Sequence, residues 1–291
     1  MQRLAYILAY PVIWFISILP FPVLYLLSDM VYVLVYYVIG YRKKTVRKNF
    51  RLALPHLTPQ EMHVLEKRFY HHFCDNFLEM IKTLSITDKE INERFVFTNF
   101  DVIEELEREG KSVSLLIGHY ASYEWLLVMH TRLEGYKGYG IYKPIKNKYF
   151  DHLVKKMRSR FNAELLSVKE VIPNMRQNNR EGQKGFYGFI TDQSPLKKSA
   201  VHWGNFFGME VPIQIGGEML SKKLGLNMAY AKVEKIKRGY YQCTFVKIEG
   251  DLKKIPNYDI TDGFMRMLEE QILKEPAYYL WTHKRFKHRR N

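Results

Sequence analysis

Residues 4–28 read LAYILAYPVIWFISILPFPVLYLLS, twenty-five consecutive positions without a charge, twenty of them apolar. A soluble domain has no use for so long an uncharged circumference on one helix. A cleaved leader would end its apolar stretch in small residues, whereas this one continues into MVYVLVYYVIGY, which argues against cleavage. A spanning helix needs about 20 apolar residues, but Pro20 and Pro22 should break the run near Leu19, leaving a first piece of only about 24 Å at the helical rise. Two anchors therefore stay open: one kinked spanning helix, or a helical hairpin sunk in one leaflet. Both make residues 1–41 a hydrophobic membrane anchor and residues 42–291 the domain it holds.

Charge distribution agrees with that division. The chain carries 45 basic and 30 acidic residues, a net +15. Arg42, Lys43, Lys44, Arg47, Lys48 and Arg51 follow directly on the apolar stretch, with no acid between Asp29 and Glu61, and Lys284, Arg285, Lys287, Arg289 and Arg290 close the chain. Cations beside an apolar run suit an anionic membrane surface, and by the positive-inside rule they place the following domain on the cytoplasmic side. Nucleic-acid readers spread their cations along a groove or interleave them with exposed aromatics, so no nucleic-acid partner is expected. An apolar content of 47% and an aromatic content of 15% exclude disorder, and Cys74 and Cys243, 169 positions apart, form no metal or redox spacing.

Beyond the anchor, residues 58–84 have an amphipathic helical pattern, with Met62, Leu65, Phe69, Phe73, Phe77 and Met80 in a stripe and Thr58 with Glu61 as a capping box. After Ile86 short strand-like runs alternate with helical ones: SVSLLIG then YASYEWLLVMHTRL, KGYGIYKP then NKYFDHLVKKMRSRF, AELLSV then KEVIPNMRQNNREG, and GFYGFIT before a long loop. Such alternation predicts an α/β domain, a mostly parallel, mixed sheet flanked by helices. NMAYAKVEKI and YYQCTFVKIEG, joined across Lys237-Arg238-Gly239, predict an antiparallel pair at the sheet edge, and ITDGFMRMLEEQILKEP a closing helix.

Reactive groups in such sheets collect where strands end. SVSLLIG delivers the chain to Gly118, His119 and, five residues on, Glu124. An imidazole there can take a proton from a hydroxyl while a carboxylate on its other nitrogen fixes the tautomer. Positions i and i+5 differ by about 140° around an α-helix, so His119 must stand in the turn before the helix for Glu124 to reach it. Gly118 is expected to permit the turn. His71 and His72 lie beside Asp75 on a helix where adjacent positions point about 100° apart, His130, His152 and His202 have no carboxylate or cysteine partners at zinc spacing, and His283 lies in the basic tail, so no metal is expected.

With these residues in place, GHYASYEW after a hydrophobic strand resembles the His-x4-Asp/Glu motif of the glycerolipid acyltransferase superfamily, and is most similar to the late acyltransferases of lipid A biosynthesis. YRKKTVRKNFRLALP, IYKPIKNKYFD, TDQSP and WTHKRFK resemble that family's other blocks in order. The resemblance implies transfer of an acyl chain from a thioester, on acyl carrier protein or coenzyme A, to a hydroxyl of a lipid A precursor at the bacterial inner membrane, with no cofactor. It implies His119 as general base and Glu124 as its partner, with Gly118, Tyr142, Lys143, Arg158, Arg160 and Asp192 as substrate-binding candidates. Lys143 stands where the family places arginine; a lysine cannot grip phosphate in two-pronged fashion, and Arg158 or Arg160 is the alternative. Lysophospholipid or lyso-aminolipid acceptors would use the same dyad. Outside the enzymes, a non-catalytic basic membrane or nucleic-acid binding protein is the competing reading.

Overall fold

The computed structural model describes residues 2–290. The apolar start breaks where proline requires: α1 covers Gln2–Ile18, and α2 (Phe21–Val33) restarts at the Pro20-Phe21-Pro22 corner and runs on as a π-helical turn, Leu34–Ile39, to Gly40. Together Phe21–Ile39 is long and apolar enough to cross a membrane by length and composition. The basic segment is α3 (Lys43–Ala53), with Val46, Asn49, Phe50 and Ala53 on its buried face.

Helix α4 (Pro59–Lys82) starts at the expected Thr58/Glu61 capping box. Its buried face is wider than the apolar stripe foretells. Phe77 stays half exposed, while Cys74, Leu78 and three acids, Glu66, Asp75 and Glu79, are buried. The reason is that α4 is walled on two sides: α1 and α2 pack along it from one, and the sheet and the 3-10 turn Pro276–Tyr278 approach from the other. Each buried acid is matched by donors. Arg47 grips Glu66, with Nε 2.7 Å from its carboxylate. Tyr25 and Tyr241 both donate to Glu79 at 2.8 Å. Asp75 accepts from Ser28 at 2.8 Å and from both Nε and Nη2 of Arg238, which also binds Asp29 of α2.

The remaining elements are α5 (Asp88–Arg94), β1 (Phe95–Phe97), α6 (Asp101–Arg108), β2 (Val113–Ile117), β3 (Tyr136–Tyr142), α7 (Lys148–Arg158), β4 (Ala163–Ser167), α8 (Val171–Glu181), β5 (Lys184–Ile190), β6 (Trp203–Phe206), β7 (Met209–Pro212), α9 (Gly216–Leu224), β8 (Asn227–Lys237), β9 (Tyr240–Lys247) and α10 (Asp259–Lys274). Seven strands form one sheet in the order β1-β9-β8-β2-β5-β3-β4, and β6–β7 is a separate hairpin. Five neighbouring strands are parallel; β9 turns back on β8, and β1 adds outside β9, parallel to it. The antiparallel pair expected at the edge thus lies one strand in from it. Gly239 closes its turn at φ 75°, and a Cβ there would sit 2.0 Å from the Tyr25 hydroxyl, so the tip docks closely on α2. The hairpin β6–β7 falls where the sequence reads as loop.

The N-terminal helices are therefore packed on the domain rather than hung from it. Tyr6 stacks on Tyr149 of α7, while Leu8, Val12, Phe15, Leu26, Met30 and Val38 face outward, each more than half exposed.

Candidate functional site

Strands β2 and β5 are in register, Ile117 beside Ile190. Two residues beyond each end stand His119 and Asp192, so the register sets the two side chains level. His119 Nδ1 lies 2.6 Å from Asp192 Oδ1. The carboxylate is buried, and the imidazole is 15% exposed on the cavity side. Burial alone would push Asp192 up, but the charge and hydrogen bond of His119, with Tyr279 and Arg285 close by, hold it net below the usual carboxylate range. In the neutral ring an ionised acceptor on Nδ1 puts the proton there and leaves the lone pair on Nε2, which faces the Gln193 side-chain nitrogen at 3.1 Å.

The turn that carries His119 is fixed by the chain's last segment. The His119 carbonyl accepts from Leu280 N at 3.0 Å, and Ala121 N donates to the Tyr278 carbonyl at 3.0 Å. Ala121 takes φ 49°, a conformation that costs a non-glycine residue about 1–3 kcal/mol; with Asn76 donating to its carbonyl at 2.7 Å, both of its backbone groups are held in place. Asn49 of α3 spans the next layer, donating to the carbonyls of Trp281 at 2.8 Å and His283 at 2.7 Å. Gly118 has no positive φ. A Cβ there would meet Leu268 Cδ1 at 2.6 Å, so the glycine serves close packing against α10 rather than the turn expected of it.

Glu124 does not hold the ring. It stands in the turn just before a 3-10 helix, Trp125–Arg132, and its carboxylate is gripped by both Nε and Nη2 of Arg158, the Nε bond at 2.8 Å. The His-x4-Glu pair is therefore split between two jobs. Asp192 orients the imidazole, and Glu124 with Arg158 forms a fork-to-fork ion pair in the same cavity wall. Arg160 leaves the site altogether, donating to the Leu84 carbonyl at 2.7 Å. Tyr142 and Lys143 line the cavity. Asp151, just downstream, accepts from the Tyr142 hydroxyl and from Ile145 N, holding that loop. The terminal basic cluster is also less free than its sequence suggests: Arg285 is buried, donating to the Pro212 carbonyl at 3.0 Å.

The cavity measures about 690 Å³ and runs from His119 along the sheet. Its walls are mainly apolar, among them Leu115, Leu127, Leu165, Ile172 and Leu220. Gly140 and Gly188, paired across β3 and β5, leave room along its floor. His130 lines it too, its ring against Gly138, where a Cβ would come within 2.2 Å of Cγ. Burial pushes His130 down to about 4, so it is neutral. The site thus combines an imidazole paired with a buried carboxylate and a mainly apolar cavity beside it. Sequence reasoning missed Asn49, His130, Thr191 and Gln193 as site residues. The block TDQSP signalled the last two only through Asp192.

Of the other histidines, His202 pairs with Asp262 at 2.8 Å. His71 lies beside Asp29 and Asp75, a grouping whose donor atoms fall within 4.8 Å, but Arg238 already bridges the two carboxylates.

Compared with known proteins, residues 2–288 match the family described as bacterial lipid A biosynthesis acyltransferase. The chain is similar to the lipid A biosynthesis lauroyltransferase of Escherichia coli (strain K12), 23% identical over 96% of this chain and 90% of that one. It is also similar to the lipid A biosynthesis palmitoleoyltransferase of the same organism, 22% identical over 96% and 89%.

Proposed function

This chain belongs to the bacterial lipid A biosynthesis acyltransferases and is an acyltransferase acting toward lipid A, and we propose that it moves the acyl chain of an acyl carrier protein thioester onto a lipid A precursor hydroxyl, with His119 as general base. The observation that carries this reading is the His119–Asp192 pair at the mouth of an apolar cavity of about 690 Å³. The free Nε2 takes the hydroxyl proton as the oxygen attacks the thioester carbon, and Asp192 stabilises the imidazolium that forms. The departing thiolate then recovers the proton. An acyl tail of the lauroyl or palmitoleoyl kind would lie in the channel over Gly140 and Gly188. Glu124 and Arg158, with Tyr142 and Lys143, make the polar wall for the substrate's headgroup or carrier phosphate. No cofactor takes part. The basic surface suits both an acidic carrier protein and anionic lipids.

Residues 1–41 anchor residues 42–291 to the cytoplasmic face of the inner membrane, and they do so within one leaflet. What supports this placement is Asp29, near the middle of the only run long enough to span among the described residues, which is paired with Arg238 at the tip of the β8–β9 hairpin. A spanning helix would carry that pair to the bilayer centre, where charges are expensive.

Purified full-length protein, given acyl carrier protein thioester and a lipid A precursor in detergent micelles, should yield precursor heavier by one acyl group in mass spectra, and His119→Ala should abolish the product while keeping the wild-type unfolding curve. Wild-type turnover by His119→Ala would overturn the proposed base.

A further inference from the structure

The groups that receive the negative charge of the tetrahedral intermediate are left open by the dyad and by the Glu124–Arg158 pair, whose guanidinium is already committed. Beyond the end of β5 the chain leaves regular structure and bends at Gln193. Thr191 and Gln193 both line the cavity; Asp192 between them reaches behind the ring to Nδ1. The Thr191 hydroxyl is buried without a hydrogen-bond partner among the described residues, while its backbone N–H is tied to the Ile117 carbonyl at 3.3 Å. A buried hydroxyl left unpaired forgoes a bond worth about 1–3 kcal/mol unless a ligand supplies it.

Gln193 holds the other face of the base. Its side-chain nitrogen is 3.1 Å from His119 Nε2. Because Asp192 keeps the proton on Nδ1, Nε2 offers a lone pair, and only the amide N–H of Gln193 can answer it. The amide thus stands where the acceptor hydroxyl must come. Its backbone carbonyl accepts from Gln214 at 3.1 Å, and Ser194 is bonded to the Arg285 carbonyl, so the segment is fixed on both sides.

We propose that the Gln193 amide and the Thr191 hydroxyl are the oxyanion donors of this site, an inference that rests on the acyl-transfer reading above. In the resting enzyme Gln193 caps the base. An arriving hydroxyl displaces it from Nε2 and leaves its N–H pair beside the carbon under attack. The hydroxyl oxygen bonds to the thioester carbon, the carbonyl π pair moves onto oxygen, and the hydroxyl proton goes to Nε2. Gln193 and Thr191 donate to that oxygen. The pair then re-forms C=O, the C–S bond breaks, and the thiolate takes the proton from Nε2. Donors aimed at the developing charge act in the transition state more than in the ground state.

The experiment measures kcat and KM for the thioester with full-length wild type, His119→Ala, Gln193→Ala, Thr191→Val and Thr191→Ser, each first checked for a wild-type unfolding curve. Removing one donor should lower kcat by roughly 10²–10³ with KM changed by less than about threefold, and Thr191→Ser should return most of what Thr191→Val loses. Both Gln193→Ala and Thr191→Val retaining kcat within about threefold of wild type would overturn the proposal. So would a loss confined to KM, or a serine variant as impaired as the valine one. Full activity in His119→Ala is a different result: it removes the base, and with it the reading on which the donors depend.

Discussion

Replacing Asp192 by asparagine separates the two carboxylates that the sequence places in competition for His119. The swap keeps the shape and a hydrogen-bonding atom opposite Nδ1, 2.6 Å away in the wild type, and removes only the charge. With the imidazolium and carboxylate centres about 4 Å apart and an effective dielectric of about 20, the lost attraction is about 4 kcal/mol. It is felt only once the ring is protonated, in the transition state, so kcat should fall about a thousandfold at 1.4 kcal/mol per decade, with little change in KM. Glu124→Gln is the matched control. It leaves Arg158 short of its charge partner in the cavity wall, and the expected effect is a raised KM rather than an equal loss of kcat. Steady-state kinetics with varied thioester and varied acceptor would read both. Asp192→Asn within tenfold of wild-type kcat, beside a thousandfold loss in Glu124→Gln, would refute the assignment and return the ring to Glu124.

Three further outcomes follow from the same geometry. Asn49→Ala strands the carbonyl of Trp281 and leaves that of His283 with Arg285 N alone, and should cost about 1–3 kcal/mol in denaturant unfolding, the range for one buried group left unpaired, with activity reduced because that segment props the His119 turn. Gly188→Leu fills the cavity floor and should shift the kcat/KM ratio toward shorter acyl donors by at least about tenfold, since one methylene in an apolar pocket is worth about 1–3 kcal/mol; an unchanged ratio would place the acyl tail elsewhere. His130, held down to about 4 by burial, contributes stability that is full above its unfolded value near 6.5 and is lost as pH falls from there toward 4. His130→Phe should therefore flatten the loss of unfolding free energy over that interval by up to about 3 kcal/mol, and an identical pH slope in the two proteins would contradict a neutral buried ring.

Much of the architecture is legible in the residues because each element obeys one local rule. Pro20 and Pro22 divide the apolar run, Thr58 and Glu61 start α4, and the hydrophobic runs before Gly118 and Thr191 are buried strands. Elements without a strong local signal escaped: three-residue β1, and β6–β7, whose four-residue strands Trp203–Phe206 and Met209–Pro212 flank a short Phe207-Gly208 turn and, with Gly204 and Pro212 among them, are too brief to show a clear alternation. The chemistry was harder to read because its key contact depends on register, not spacing. His119 and Asp192 are 73 positions apart and become neighbours only because β2 and β5 lie side by side. Glu124, near in sequence, was drawn away by Arg158, which arrives from another helix. Arg285 shows the same limit, its place in a basic cluster giving no hint that it is interior.

The grip of Arg238 on Asp29 and Asp75, with Gly239 pressed against Tyr25, has a practical corollary. A trimmed version beginning after the greasy start, the usual route to an easily handled enzyme, would strip one wall from α4 and leave Glu79 and Asp75 without Tyr25 and Ser28. Here the part that meets lipid is masonry rather than a leash, and solubility would have to come from repainting its outward residues instead of cutting it off.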